Sequence, residues 1–168
     1  MQVETTRFGS IEVDEAALIC FPDGIPGFEG CRRYALIPHR AAGADKTSPF
    51  LWLQSIEDDR LAFLLTDPRG FFLDYFPKIS QADRQALDLG EGVPEPRIYT
   101  LLTVPKGDPS GITANLLAPI VINVATLTAR QVIVNDDRYG LRHRIIPDSA
   151  AVTMSRRQRE VAKDRVAV

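Results

Sequence analysis

A chain of 168 residues, 45% hydrophobic and 25% charged, has the size and composition of one soluble globular domain with a single core. Its formal charge of -2 is unevenly spread: residues 1–150 carry 15 Lys+Arg against 20 Asp+Glu, and residues 151–168 carry 5 against 2. An acidic body argues against direct nucleic-acid binding, since phosphate affinity comes mainly from Lys and Arg, and it suits a basic protein partner instead. No leader pattern and no run long enough to span a bilayer is evident, so a cytoplasmic protein with no membrane association is expected.

Short β-prone runs recur between turn signals along the chain. Residues 2–8 and 11–13 flank Gly9-Ser10, which reads as a tight hairpin. "LICF" (18–21) leads into "PDGIPGFEG", where Pro26-Gly27 suits a type II turn. "RRYALIP" (32–38) is the next strand, and a polar loop follows it. Residues 50–57 and 61–66 form a hairpin turning at Asp58-Asp59-Arg60, and their nearly unbroken apolar character predicts cover on both faces.

"SQADRQALDLG" is the clearest helix, near 80–89, with Ser80 as cap, Asp83 in the first turn and Gly90 as left-handed terminator. Four further strands are predicted at 97–104, 112–117, 119–124 and 127–134. Many short strands with one internal helix predict a mainly β fold, a small antiparallel β-barrel or barrel-like sandwich. Residues 1–147 form the single β-rich domain, and 148–168 a basic C-terminal tail, helical or disordered.

Chemistry is sparse. The glycines of "GIPGFEG" lack the strand-to-helix setting and the Lys-Ser/Thr of a phosphate loop. Cys20 and Cys31 have no metal-ligand spacing and read as free, mostly buried thiols. His39 and His143 are the only histidines. Asp136, Asp137 and His143 offer ligand types for an ion, whereas the plainer reading is a turn in which Asp136 pairs with Arg138 or a neighbour. No metal and no cofactor is expected.

Candidate partner-binding residues fall between 57 and 91, where eight acids outnumber four bases. Asp58, Asp59, Asp67 and Asp74 are the electrostatic candidates. "RGFFLDYFP" crowds apolar residues between prolines, so one or two face outward, and Phe72 and Tyr75 are the candidate anchors. "TANLLAPIVIN" sets Asn115 and Asn123 around Pro119, which belongs on a sheet edge or at a bulge. The two amides either bind the irregular backbone around that bend or face a partner's strand, and both readings stay open.

Taken together, "FGSIEVDE", "FPDGIPGFEGCRRYALIP", "SPFLWLQSIEDDRLAFLLTDP", "ITANLLAPIVIN" and "NDDRYGLRH" resemble the FliW family of flagellar assembly factors, in the family's order from Phe8 to His143. Arg144 stands where that pattern would place a proline. The resemblance implies a barrel-like cytoplasmic protein without catalytic activity. It implies binding to the translational repressor CsrA, relief of CsrA's repression of flagellin translation by a non-competitive route, and chaperone-like binding of flagellin. Two alternatives remain from the residues: a metal-dependent hydrolase at Asp136, Asp137 and His143, and an RNA-binding β-barrel using Arg156, Arg157 and Arg159.

Overall fold

The computed structural model describes residues 1–40 and 48–145. The tail expected over 148–168, with Arg156, Arg157 and Arg159, lies outside the described residues. Strands β1 (Gln2–Thr5) and β2 (Gly9–Glu12) form a separate hairpin. Its turn is Thr6-Arg7-Phe8 rather than Gly9-Ser10, because Thr5 already pairs with Gly9. The Thr5 hydroxyl fixes this turn by donating to Gly9 O (2.8 Å) and accepting from Phe8 N (2.9 Å).

The remaining strands are β3 (Ile19–Cys20), β4 (Arg33–Pro38), β5 (Phe50–Ser55), β6 (Ala62–Thr66), β7 (Arg97–Thr103), β8 (Thr113–Ala114), β9 (Ile120–Ile122), β10 (Ala129–Gln131) and β11 (His143–Arg144). Among the described residues they make one antiparallel sheet in the order β10-β9-β7-β6-β5-β4-β3, with β8 also on β7 and β11 on β8. The sheet curls into a half-barrel far enough for its ends to meet: Cys20 bridges Thr128, and Cys20 N donates to Leu127 O (2.9 Å). Inside the curl sit Ile19, Phe21, Ile25, Tyr34, Leu53, Leu65, Tyr99, Ile120, Ile122 and Ala129. Period-two alternation produces this core, since Tyr34, Leu53, Leu65 and Tyr99 project from the inner side of successive strands.

Between Phe21 and Cys31 the chain turns at Pro26-Gly27, where Phe28 N donates to Ile25 O (2.7 Å) and Gly27 holds φ +87°. A Cβ at Gly24 would stand 2.5 Å from Glu29 Cα, so this loop closes on itself too tightly for any other residue there. Cys20 is exposed and Cys31 half-buried, so the expectation of two mostly buried thiols is corrected for Cys20, which lies between the inward-facing Ile19 and Phe21 and so turns its side chain outward.

The helix α1 runs Gln81–Ala86, with Ser80 Oγ accepting from Asp83 N (3.1 Å). It ends before Gly90. Asp88 takes the left-handed conformation (φ 52°), Asp88 N donates to Gln85 O and Leu89 N to Arg84 O, which is a Schellman closure. Stopping there drives Leu87 and Leu89 into a second cluster with Val121 and Val132. Strand β11 was not foreseen, since a two-residue pairing leaves no periodic signal.

Candidate functional site

Hairpin β5–β6 separates the candidate docking residues. At its turn, Ser55 Oγ accepts from the amides of Glu57 and Asp58 (both 3.1 Å), and Asp58 Oδ1 accepts from Arg60 N (3.0 Å). Buried Gln54 donates through Nε2 to Ser55 O (3.0 Å). Thr6 N donates to Asp59 O (2.9 Å) and the Thr6 hydroxyl to Asp59 Oδ2 (3.0 Å), tying the β1–β2 hairpin to this turn. Glu57 meets Arg33 (3.0 Å), while Arg60 lies 3.5 Å from Asp58 and 4.0 Å from Asp59. These acids are therefore partly consumed by the turn, and the region is less negative than a count of carboxylates implies.

Asp67, Phe72, Asp74 and Tyr75 lie beyond the other end of the hairpin, roughly 15 Å or more away for strands of this length. Asp67 caps a 3-10 turn at Pro68–Gly70, accepting from Arg69 N (2.9 Å) and from Arg69 Nη2 (2.8 Å). The Arg69 guanidinium beside it holds its carboxyl below the usual aspartate range. From that turn the chain drops inward. Phe71 stacks on Phe50 (6.0 Å, 6°), and Phe72 meets His143 edge-on (6.1 Å, 82°).

Tyr75 is not an exposed anchor. It is 2% exposed, its hydroxyl donates to Leu116 O (2.8 Å), and its ring meets Tyr139 edge-on at 4.7 Å. Burial pushes its phenol pKa up. Phe72 is half-buried in the same cluster, so it too is mainly a packing residue. Both corrections have one cause: the short loop lies against β8 and the 136–143 segment, whose apolar surface needs cover.

What the loop exposes instead is Leu73 (83%) and Phe76 (70%), on either side of the buried Tyr75. Asp74 is exposed between them, and its carbonyl accepts from the Tyr139 hydroxyl, which in turn accepts from Phe76 N (both 3.2 Å). The two apolar side chains are thus displayed from a backbone pinned by two tyrosines. The expectation that Phe72 and Tyr75 face outward is not met, and the exposed pair is Leu73 and Phe76. The in-out order of Phe71, Phe72, Leu73, Tyr75 and Phe76 depends on which face meets β8, which the local pattern does not carry.

Asp136 accepts from Arg138 N (3.0 Å) and lies 2.8 Å from Arg138 Nη2, which lowers its pKa to about 2. His143 Nε2 accepts from Gly140 N (2.7 Å). Asp136 and His143 Nε2 are therefore engaged within the loop, and among the described residues no three His, Cys, Asp or Glu side chains converge. Asp136, Asp137 and His143 thus do not form a three-ligand metal cluster among the described residues.

Pro119 marks a bulge. Between Leu102↔Ala114 and Tyr99↔Ile120, β7 advances by three residues while the opposing chain advances by six. Asn115 Oδ1 accepts from Ala118 N (2.9 Å), and Thr100 Oγ1 donates to Asn115 O (2.5 Å). Asn123 is 1% exposed; its Nδ2 donates to Leu87 O (2.8 Å), fastening α1's end to β9, and its Oδ1 accepts from Ala125 N (2.9 Å). Both amides are turned to their own backbone.

A second apolar surface covers the outside of the sheet, where Trp52, Leu64, Leu102, Val104 and Leu141 line a shallow groove bordered by Arg142. Arg7 stacks over Trp52 (4.2 Å), whose indole N–H donates to His39 Nδ1 (3.2 Å). Among the described residues no helix is long and apolar enough to cross a membrane.

The fold and its sequence have relatives. The FliW protein family model matches residues 2–145. The flagellar assembly factor FliW of Natranaerobius thermophilus is 36% identical over 148 residues, 88% of this chain and 94% of its own length. That of Syntrophotalea carbinolica is 39% identical over 139 residues, 82% and 93% of the two chains. A crystal structure of the flagellar assembly factor FliW superposes with a TM-score of 0.76 at 31% identity, covering 88% of this chain and 99% of that one. With a family model matched over nearly all of the described residues and a half-barrel shared with a solved member, the chain belongs to the FliW family of flagellar assembly factors.

Proposed function

We propose that this protein acts in the cytoplasm as a non-enzymatic flagellar assembly factor that binds CsrA, relieves its repression of flagellin translation, and also binds flagellin as a chaperone-like partner. Family membership supports the flagellar role, and the choice of CsrA and flagellin rests on the resemblance of its sequence blocks. The observation that carries the docking reading is the pair Leu73 and Phe76, large apolar side chains exposed on a pinned loop with Asp74 between them. Exposed apolar groups ordered in advance lose little entropy on association, and a neighbouring carboxylate favours encounter with a basic RNA-binding protein. Asp67, held by Arg69, adds little charge; Asp58 and Asp59, on the far turn, act through long-range attraction rather than contact.

The test is calorimetric titration with CsrA, alone and preloaded with flagellin-leader RNA, followed by the same titration with flagellin. Binding to CsrA accompanied by RNA release supports the reading. Absence of heat and of any mobility change with both proteins overturns it, and retarded RNA in the presence of this protein alone would favour an RNA-binding barrel.

A further inference from the structure

Strand β4 has an edge that β3 covers only in part. β3 pairs with Arg33 and Tyr34 and then departs, because Glu15–Ala17 is wound into a 3-10 turn capped by Asp14. In the β4–β5 ladder, Ile56 N donates to Arg33 O and His39 N to Phe50 O. The alternation of an antiparallel ladder therefore directs Arg33, Ala35, Ile37 and His39 toward β5, and Tyr34, Leu36 and Pro38 toward the opposite edge. Tyr34 meets Ile19 there. The N–H and C=O of Leu36 and the C=O of Pro38 have no backbone partner among the described residues. Pro38 fits this position, since the N–H it lacks would have pointed away from β5.

This edge opens into a groove of about 510 Å³. Ile11, Val13, Ala17 and Ile37 supply its apolar walls, Glu12 and Asp14 its rim, and no Lys or Arg lines it. The Met1 ammonium bonds Val13 O (2.7 Å) beside this rim, which leaves two carboxylates against one cation. Unpaired ladder groups along one side, apolar walls for alternate side chains and a rim of net negative charge are the elements of strand addition.

We propose that this slot takes an extended basic segment of a partner protein, which adds to β4 as a further strand. Its backbone bonds Leu36 and Pro38, its apolar residues lie against Ile11, Val13 and Ile37, and its Lys or Arg residues face Glu12 and Asp14. A second copy of this chain is disfavoured as occupant, because the same acidic rims would then be brought together. The slot involves neither Leu73 nor Phe76, so the inference goes beyond the proposed partner surface and stands or falls separately.

The experiment uses the full chain, a short peptide alternating lysine with valine, and its glutamate-valine counterpart, with amide exchange followed residue by residue. The lysine peptide should slow exchange at Leu36 by about tenfold or more while leaving the already bonded Ile37 amide unchanged. Glu12→Lys, at an exposed position, should weaken the peptide about tenfold, with the unchanged Ile37 amide serving as proof of an intact β4–β5 ladder. Equal binding of the glutamate peptide, binding without protection of Leu36, or no binding of the lysine peptide would each overturn the proposal.

Discussion

Replacing Tyr75 by Phe removes one oxygen and tests how the exposed loop is held. The hydroxyl is buried and donates to Leu116 O at 2.8 Å, in a cluster with Ala114 and Ile145 where water has no ready access. Its loss leaves the Leu116 carbonyl without that donor, a penalty of about 1–3 kcal/mol for a buried polar group. The phenyl ring still meets Tyr139, so the aromatic contact is retained and the change isolates the hydrogen bond. Tyr75→Ala removes the ring as well and should cost about 3–5 kcal/mol. Urea unfolding would give both values, and for a domain of this size each kcal/mol corresponds to a melting shift of about 2–4 °C. A Tyr75→Phe variant within about 0.3 kcal/mol of the parent would refute the reasoning, since the bond would then contribute nothing beyond what packing supplies.

Asp88→Gly should raise stability by about 0.5–1 kcal/mol, because the left-handed conformation of the helix C-terminus suits glycine better; urea denaturation checks the sign. Asn123→Ala should cost about 2–4 kcal/mol in the same assay, leaving both Leu87 O and Ala125 N short of a partner in a buried place. On acidification, Asp136 contributes in a definite direction: its pKa falls from near 3.8 to about 2 in the folded protein, so the stability it gives is present above about pH 4 and is lost as pH falls toward 2. Asp136→Asn should flatten that part of a stability-versus-pH curve, and an unchanged curve would remove the Arg138 pairing from the account.

The sequence shows most of the scaffold, because short apolar, β-prone runs between turn signals mark β4 to β7 and a serine cap marks α1. What it leaves obscure depends on contacts distant along the chain. Pro119 announces an irregularity, but the size of the bulge is set by how β8 and β9 share one edge of β7. The helix ends at Asp88 rather than Gly90 because Leu87 and Leu89 both reach the cluster formed with Val121 and Val132, and that outweighs the cost of a left-handed aspartate. Tyr75 and Phe76 are neighbours of similar hydrophobicity with opposite fates, decided by Leu116 and Tyr139 more than forty residues away. The acids of the 57–60 turn look like a binding surface until their pairing with Arg33, Arg60 and Thr6 is visible.

The most direct test of the docking claim is calorimetric titration of CsrA with the parent protein and with a Leu73→Ala, Phe76→Ala double variant. Both side chains are largely exposed, so the variant should unfold within about 0.5 kcal/mol of the parent. Its affinity for CsrA should fall by about 2 kcal/mol or more, some thirtyfold, as expected when central apolar anchors are removed. Unaltered affinity in a variant of unaltered stability would contradict the assignment of this loop as the docking surface.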